Sequence, residues 1–186
     1  VLEHMQVKRS MLKGARNPLR RLMVKRWIGD RDDREVVRKL HALGPPRDVA
    51  EQQAKVARAD ALVFIAPVYF VGFPAILKGW IERVFSLGFA FGMTADAWRG
   101  DVGGRVPLLQ HEKALIIQTT IWNEASYEAG PDPSLKAAMK VLIDEYALRY
   151  PGIKRVEHEY FHAVHGADDA ARRAYLDGAY QLGREF

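Results

Sequence analysis

The sequence predicts an open, doubly wound α/β sheet, and three observations support this fold class. The unbroken apolar run ALVFIA at 61–66 is typical of a parallel strand covered on both faces, and a second apolar run, KALIIQTT at 113–120, predicts another strand. A third run at 153–164 alternates in polarity, which predicts a strand at a sheet edge. Helical patterns separate these runs, as the crossover connections of a parallel sheet require.

Length and composition limit the kinds of protein that this chain can represent. With 186 residues, 48% of them hydrophobic, the chain can form one well-packed domain. It contains no cysteine, which excludes disulfides, thiolate zinc sites and cysteine nucleophiles and fits a cytoplasmic protein. No apolar run reaches the roughly 20 residues of a membrane-spanning helix, so we expect no membrane insertion.

Positive charge is concentrated in the N-terminal quarter of the chain. Residues 1–47 hold 13 Lys and Arg against 5 Asp and Glu, whereas the rest holds 15 against 18. We therefore divide the chain into an atypical basic segment, 1–47, and an α/β domain, 48–186. The basic segment has one tryptophan and no recognisable nucleic-acid reading motif, so we interpret it as a solvated arm or an inter-subunit strap rather than a nucleic-acid site.

Apolar periodicity and end signals predict four helices: 48–59, 74–87, 134–149 and 167–184. The third of these should turn four apolar side chains inward: Leu135, Met139, Leu142 and Ile143. The segment 88–111, rich in glycine and aromatic residues, is predicted to be a loop.

The stretch APVYFVGFP at 66–74 follows the first strand and is unusual for a connector. Its prolines fix the backbone, its adjacent aromatics can cover a flat ligand, and its glycine permits close approach. Ligands bind at the carboxyl ends of the strands in such sheets, where both 67–73 and 119–127 are placed. The residues therefore predict a site for a planar ligand, and a hydrophobic loop packed on the core or on a partner subunit is the alternative.

The run PVYFVGFPAILKGWIERVF resembles the central motif of the flavodoxin-like NAD(P)H:quinone oxidoreductases, of the DT-diaphorase and modulator-of-drug-activity type. Twelve positions agree with that pattern: Pro67, Tyr69, Phe70, Pro74, Ala75, Leu77, Lys78, Gly79, Trp80, Glu82, Arg83 and Val84. The resemblance continues through GFAFG at 88–92 and covers roughly residues 48–186. It implies a flavodoxin-like parallel sheet in three layers, α/β/α.

The resemblance also implies a cofactor site for FMN or FAD. In that family the first strand-end loop binds the flavin ring, here through Pro67, Val68, Tyr69 and Phe70. The Thr-Thr loop that holds the other side of the ring corresponds to Thr119 and Thr120, and Trp122 is a candidate pocket wall. The implied reaction carries a hydride from NAD(P)H to a quinone-like acceptor in a homodimer, with Phe91 and Trp98 capping the site.

Three candidates for proton handling follow the last two strands. Tyr127 stands at the offset of the family's active-site tyrosine, and His162 and His165 are candidates for a proton relay. We predict no metal site at the histidines near the last strand, because no carboxylate converges on them in the sequence.

Two departures from the family pattern keep a second interpretation open. Ile121 and Trp122 replace a glycine pair, and Pro131-Asp132-Pro133 occupy the region of the family's active-site histidine. The N-terminal segment shows neither the first strand nor the phosphate-binding loop, although it offers four basic residues as phosphate ligands: Lys8, Arg9, Arg16 and Arg20. The alternative is a flavodoxin-like regulatory or interaction subunit that has lost cofactor chemistry.

Overall fold

A computed structural model describes residues 44–130 and 133–186, and residues 48–186 form one compact unit. The helices are α1 Arg47–Arg58, α2 Ala75–Val84, α3 Ala95–Trp98, α4 Glu124–Glu128, α5 Leu135–Met139 and α6 Asp169–Glu185. The strands are β1 Ala61–Pro67, β2 Phe91–Met93, β3 Arg105–Pro107, β4 Lys113–Thr119 and β5 Arg155–Phe161. A 3-10 turn covers Val102–Gly104, and a π-helical segment, Lys140–Arg149, continues α5.

Some expectations fall on residues that the structure leaves undescribed. The four proposed phosphate ligands, Lys8, Arg9, Arg16 and Arg20, lie outside the described residues, as do Pro131 and Asp132. The division of the chain at residue 48 stays a prediction.

The main sheet is parallel and has the strand order β1-β4-β5, which confirms the predicted α/β fold. Its register pairs Ala61 with Lys113 and Lys113 with Arg155, so the three strands begin at the same level. The five inner residues of β4 are all buried, as expected for a central strand. Among the described strands β5 lies at the edge, as its alternating sequence predicted.

Helices pack on both faces of this sheet, which confirms the three-layer arrangement. On one face Phe64 of β1 contacts the ring of Trp80 of α2, at 6.3 Å between ring centroids. On the opposite face Phe161 of β5 stacks on Tyr175 of α6 at 5.0 Å. The central strand β4 buries both of its faces, whereas Val63 and Ile65 on one face of β1 are 49% and 71% exposed, so the expectation that β1 is covered on both faces is wrong for the described residues. In the described ranges, no helix is long and apolar enough to cross a membrane.

The predicted helix at 134–149 differs from the structure in its winding. Ser134 caps α5, but from Lys140 the backbone forms i→i+5 hydrogen bonds, such as the one from Tyr150 N–H to the Glu145 carbonyl at 2.7 Å. The wider turn moves the buried positions along the chain to Ile143, Asp144 and Leu148, after Met139 of α5. The expectation that Leu142 faces inward is wrong, since its side chain is 60% exposed.

The segment 88–111 contains more regular structure than its composition predicts. Strands β2 and β3 form an antiparallel pair in which Gly92 lies opposite Val106. The guanidinium of Arg105 lies over the ring of Tyr150, 2.9 Å from the ring centroid, and Phe91 packs on the same ring. Strands of three residues are too short to show a periodic pattern, so the sequence predicted only a loop here.

The π-helical winding can be tested with two leucines on the same segment. Leu148→Ala should lower the free energy of unfolding by about 2–5 kcal/mol, because the Leu148 side chain is fully buried in the core. Leu142→Ala is the matched control and should change it by no more than about 0.5 kcal/mol, since that side chain is exposed. Urea denaturation of both variants measures the difference. A regular α-helix that buries Leu142 would give the two variants similar losses.

Candidate functional site

The carboxyl ends of the three parallel strands form one continuous surface. The Val68 N–H donates to the Thr119 carbonyl at 2.9 Å, which links the segments after β1 and β4. The Thr120 N–H donates to the Phe161 carbonyl at 2.9 Å, which links the segments after β4 and β5. We call this surface, made by residues 67–73, 119–123 and 161–165, the strand-end shelf.

A tight turn with an unusual backbone forms the first part of the shelf. Tyr69 and Gly72 exchange both of their backbone hydrogen bonds, at 3.0 and 3.1 Å. The two residues between them, Phe70 and Val71, have φ angles of 47° and 59°. A two-residue turn of this hand requires positive φ at both positions, which glycine and asparagine adopt far more readily than phenylalanine or valine. We call residues 69–72 the aromatic turn, and it stores backbone strain.

The aromatic turn presents its rings and one amide to the solvent. The Phe70 side chain is fully exposed and that of Tyr69 is 59% exposed. Pro67 has no N–H group, while the amides of Val68 and Tyr69 already donate to the backbone. Of residues 67–70, all within the described part of the chain, Phe70 alone has an N–H group with no intramolecular acceptor. The backbone contact expected from this loop is therefore restricted to one amide.

Thr120 connects the second and third parts of the shelf. Its side chain is buried, and its hydroxyl donates to the Trp122 carbonyl at 2.6 Å. The same oxygen lies 3.3 Å from Nδ1 of His162. Trp122 in turn accepts from the N–H of Ala163 at 2.9 Å. Trp122 is half exposed at 49%, so its ring forms part of the shelf surface.

Tyr127 lies beneath the shelf in a cluster of rings. Asn123 caps α4 through its side chain, which places Tyr127 on the inner side of this short helix. The Tyr127 ring lies 6.0 Å from Trp122, 5.3 Å from His162 and 6.0 Å from Tyr160. The tyrosine is 3% exposed. Burial raises the pKa of the Tyr127 hydroxyl, and the nearby Thr120 hydroxyl has a smaller, opposing effect.

The structure brings most of the predicted site residues together. Residues 67–70, Thr119, Thr120 and Trp122 belong to the shelf, and Tyr127 and His162 lie against it. His165 is exposed in the turn after β5, where the backbone of Ala163 has a φ of 52° and accepts from Gly166. Their roles in binding and catalysis stay predictions.

The sequence missed a buried polar group directly below the shelf. Gln118 is fully buried in β4, and His158 of β5 contacts both Gln118 and Asp144. The expectation that no carboxylate converges on the histidines is wrong, because Asp144 Oδ1 lies 2.8 Å from His158 Nδ1. The only signal in the sequence was Gln118 itself, a polar residue inside an apolar run. Within the described ranges no group of three or more His, Cys, Asp or Glu is placed to hold a metal ion.

The shelf fits the ring end of a flavin. It combines exposed aromatic faces at Phe70 and Trp122 with a free N–H group at Phe70, which suits a planar ring with carbonyl acceptors. In the part of the chain that the structure describes, no glycine-rich cradle for a phosphate follows a strand of the main sheet. The described residues therefore fit the ring and leave the phosphate end unassigned.

The strain in the aromatic turn predicts that Phe70→Asn stabilises the protein. Asparagine tolerates positive φ, and the exposed Phe70 ring loses little packing, so the free energy of unfolding should rise by about 1 kcal/mol. Tyr69→Asn is the control, because the backbone of Tyr69 is outside the positive-φ region. Thermal unfolding measures both variants. Destabilisation by Phe70→Asn would contradict the observed turn.

Burial of Tyr127 predicts a loss of stability at alkaline pH. Its pKa is raised above the ordinary value of 10.0 in the folded protein, so the unfolded chain ionises first as the pH rises. The stabilisation is complete below pH 10 and declines above it. Tyr127→Phe should make the decline between pH 9.5 and 11.5 shallower, measured by urea denaturation at each pH. An unchanged slope would contradict the buried hydroxyl.

Comparisons with known proteins agree with this fold. The sequence profile of the flavodoxin-like fold family matches residues 17–182. An uncharacterised NAD(P)H oxidoreductase of Haemophilus influenzae is 35% identical over 137 residues, which are 73% of this chain and 62% of that protein. The glutathione-regulated potassium-efflux system ancillary protein KefF of an Enterobacter species is 29% identical over 140 residues, 74% of this chain and 72% of that protein.

A solved structure agrees as well. The NAD(P)H:quinone oxidoreductase of Methanothermobacter marburgensis superimposes with a TM-score of 0.66 and 25% identity, covering 87% of this chain and 78% of that one. The match of the family profile to most of the chain, together with the parallel sheet and its strand-end shelf, places the chain in the flavodoxin-like family that includes NAD(P)H:quinone oxidoreductases.

Proposed function

We propose that the protein is a flavin-dependent oxidoreductase that transfers a hydride from NAD(P)H to quinones or similar flat acceptors. The observation that carries this proposal is the aromatic turn, which keeps exposed rings and a free amide at the carboxyl end of β1 in a strained backbone. Strain of this kind persists where function requires it. The names of the Haemophilus and Methanothermobacter relatives support the same activity.

The residues of the shelf would hold the flavin, either FMN or FAD. Pro67, Val68, Tyr69 and Phe70 would bound one side of the ring, with the Phe70 N–H as a hydrogen-bond donor. Thr119, Thr120 and Trp122 would bound the other side. The flavin, when bound, supplies the hydride chemistry, and the protein supplies its binding and orientation.

Tyr127 and His162 would donate and accept hydrogen bonds or protons next to that ring. The raised pKa of Tyr127 keeps its hydroxyl protonated at neutral pH, where it can only act as a neutral donor or acceptor. His162 contacts both the Tyr127 ring and the Thr120 hydroxyl, so a proton can move between the histidine and the shelf. His165 is exposed at the rim of the shelf, where it would meet the acceptor.

A homodimer in the cytoplasm belongs to the same proposal. The shelf and its surroundings expose several large apolar side chains, among them Phe70, Ile76 and Ile121 at 106%, 86% and 61%. Such a surface suits contact with a second copy of the chain. By the family resemblance Phe91 and Trp98 would then cap the site of the partner; within its own chain Phe91 packs on Tyr150.

Reconstitution with flavin tests the proposed function. Purified protein incubated with FMN or FAD and then desalted should be yellow and should oxidise NADH or NADPH when a quinone is added. Protein that stays colourless with both flavins and shows no NAD(P)H oxidation would contradict the enzyme. That outcome would support the alternative, a flavodoxin-like regulatory or interaction subunit. The likeness to the ancillary protein KefF and the replacement of a glycine pair by Ile121-Trp122 favour this alternative.

The proposed role of Tyr127 predicts a specific kinetic effect. Tyr127→Phe removes only the hydroxyl, so kcat should fall by about 100-fold while bound flavin is retained. Tyr146→Phe is the matched control, because Tyr146 is 59% exposed on the π-helical segment. Steady-state kinetics and the flavin spectrum separate the two effects. Equal kcat values in both variants would remove Tyr127 from the mechanism.

A further inference from the structure

A line of buried polar groups runs from the aromatic turn into the core. Gln118 Nε2 donates to the Gly72 carbonyl at 3.4 Å, and Gln118 Oε1 lies 3.0 Å from His158 Nε2. His158 Nδ1 lies 2.8 Å from Asp144 Oδ1, and Lys140 Nζ lies 3.2 Å from the other oxygen of Asp144. The His158 and Asp144 side chains are 5% and 1% exposed.

The hydrogen bonds determine which atoms carry protons. An amide nitrogen only donates and an amide oxygen only accepts, so Gln118 must turn its nitrogen to the Gly72 carbonyl and its oxygen to His158. The opposite orientation would set two carbonyl oxygens against each other. His158 Nε2 therefore carries a hydrogen. This assignment of the Nε2 hydrogen depends only on the contact between Gln118 Nε2 and the Gly72 carbonyl.

The other ring nitrogen of His158 also carries a hydrogen. The Lys140 ammonium forms an ion pair with the Asp144 carboxylate, and an ionised carboxylate only accepts. Asp144 therefore accepts the hydrogen of His158 Nδ1. With hydrogens on both nitrogens, the His158 ring is a cation.

The surroundings of His158 are consistent with a cation. The Tyr160 ring stacks on it at 4.2 Å between centroids, and an aromatic face attracts positive charge. The Tyr160 hydroxyl lies 3.2 Å from Nδ1; burial, and secondly the charge of Asp144, raise its pKa, so it stays neutral. Tyr127 and His162 lie beyond Tyr160 in the same column of rings.

We propose that His158 is a buried imidazolium that acts as a positioning residue for the aromatic turn. Asp144 stabilises its charge, and the hydrogen on His158 Nε2 fixes the orientation of the Gln118 amide. Gln118 then holds the Gly72 carbonyl, which also closes the turn by accepting from Tyr69 N–H. A His158 ring without a hydrogen on Nε2 would present a lone pair to the Gln118 oxygen and would release this anchor. The link to flavin binding rests on the proposed function, whereas the charge and the anchor do not.

Nuclear magnetic resonance of the flavin-free protein tests the charge. In protein labelled with 15N-histidine, both ring nitrogens of His158 should have the shifts of protonated nitrogens at pH 7.5. The signals of His158 are identified as those that are missing from the spectrum of the His158→Gln variant. A single unprotonated nitrogen on His158 would overturn the proposal.

Hydrogen exchange tests the anchor, with Gln118→Glu as the informative variant. Glutamate preserves the shape and can still accept from His158, but it cannot donate to the Gly72 carbonyl. The exchange rates of the Tyr69 and Gly72 amides should then rise by about 3- to 10-fold, which corresponds to the free energy of one hydrogen bond. The exchange rate of the Ile116 amide in β4 should not change. Unchanged exchange in the turn, or an equal rise at Ile116, would contradict a positioning role.

A matched pair of helix variants tests the role of Asp144. Asp144→Asn should remove a proton from His158, whereas Glu145→Gln, at an exposed neighbour paired with Arg149, should leave both protons in place. If Asp144→Asn does not fold, the 15N measurement on His158 and the hydrogen exchange of Gln118→Glu still test the proposal. If the wild type binds FMN, Gln118→Glu should weaken that binding by a similar factor. These measurements need no flavin, so a failure of the proposed function leaves them interpretable.

Discussion

The parallel pairing of β4 with both of its neighbours is the constraint on which the rest of the described structure depends. Because β1, β4 and β5 run in the same direction and in register, the segments that follow them meet at one edge. The hydrogen bonds from Val68 to Thr119 and from Thr120 to Phe161 continue the sheet by one step beyond the strands. The strand-end shelf is therefore an extension of the sheet and takes its rigidity from the sheet.

Two polar residues at the carboxyl end of β4, one inside the strand and one directly after it, make contacts that apolar residues could not. Gln118 and Thr120 are both fully buried, which costs free energy unless their hydrogen bonds are made. Gln118 links the aromatic turn to His158 of β5 by hydrogen bonds, and the Thr120 hydroxyl contacts both the Trp122 carbonyl and His162. Each loop of the shelf is thus held by a buried side chain from the central strand, which offsets the backbone strain at Phe70 and Val71.

The aromatic turn shows how stability and the proposed function oppose each other in this site. Positive φ at Phe70 and Val71 costs free energy in the folded protein, and a glycine or asparagine would remove that cost. The ring of Phe70 gains nothing from packing, because it is fully exposed. A residue that is both strained and exposed stabilises nothing within the chain, so its physical reason lies with a ligand or a second copy.

The sequence by itself determined the three strands of the main sheet, their parallel arrangement and most of the shelf. Apolar runs and strand–helix alternation are local patterns, and the motif at 67–85 carries its own chemistry. Tertiary structure decided what no local pattern contains. It placed Asp144 beside His158 and left Leu142 exposed, through a π-helical winding of 140–149 that the apolar periodicity does not predict. The contact from Gln118 to Gly72 likewise exists only because β4 lies beside β1.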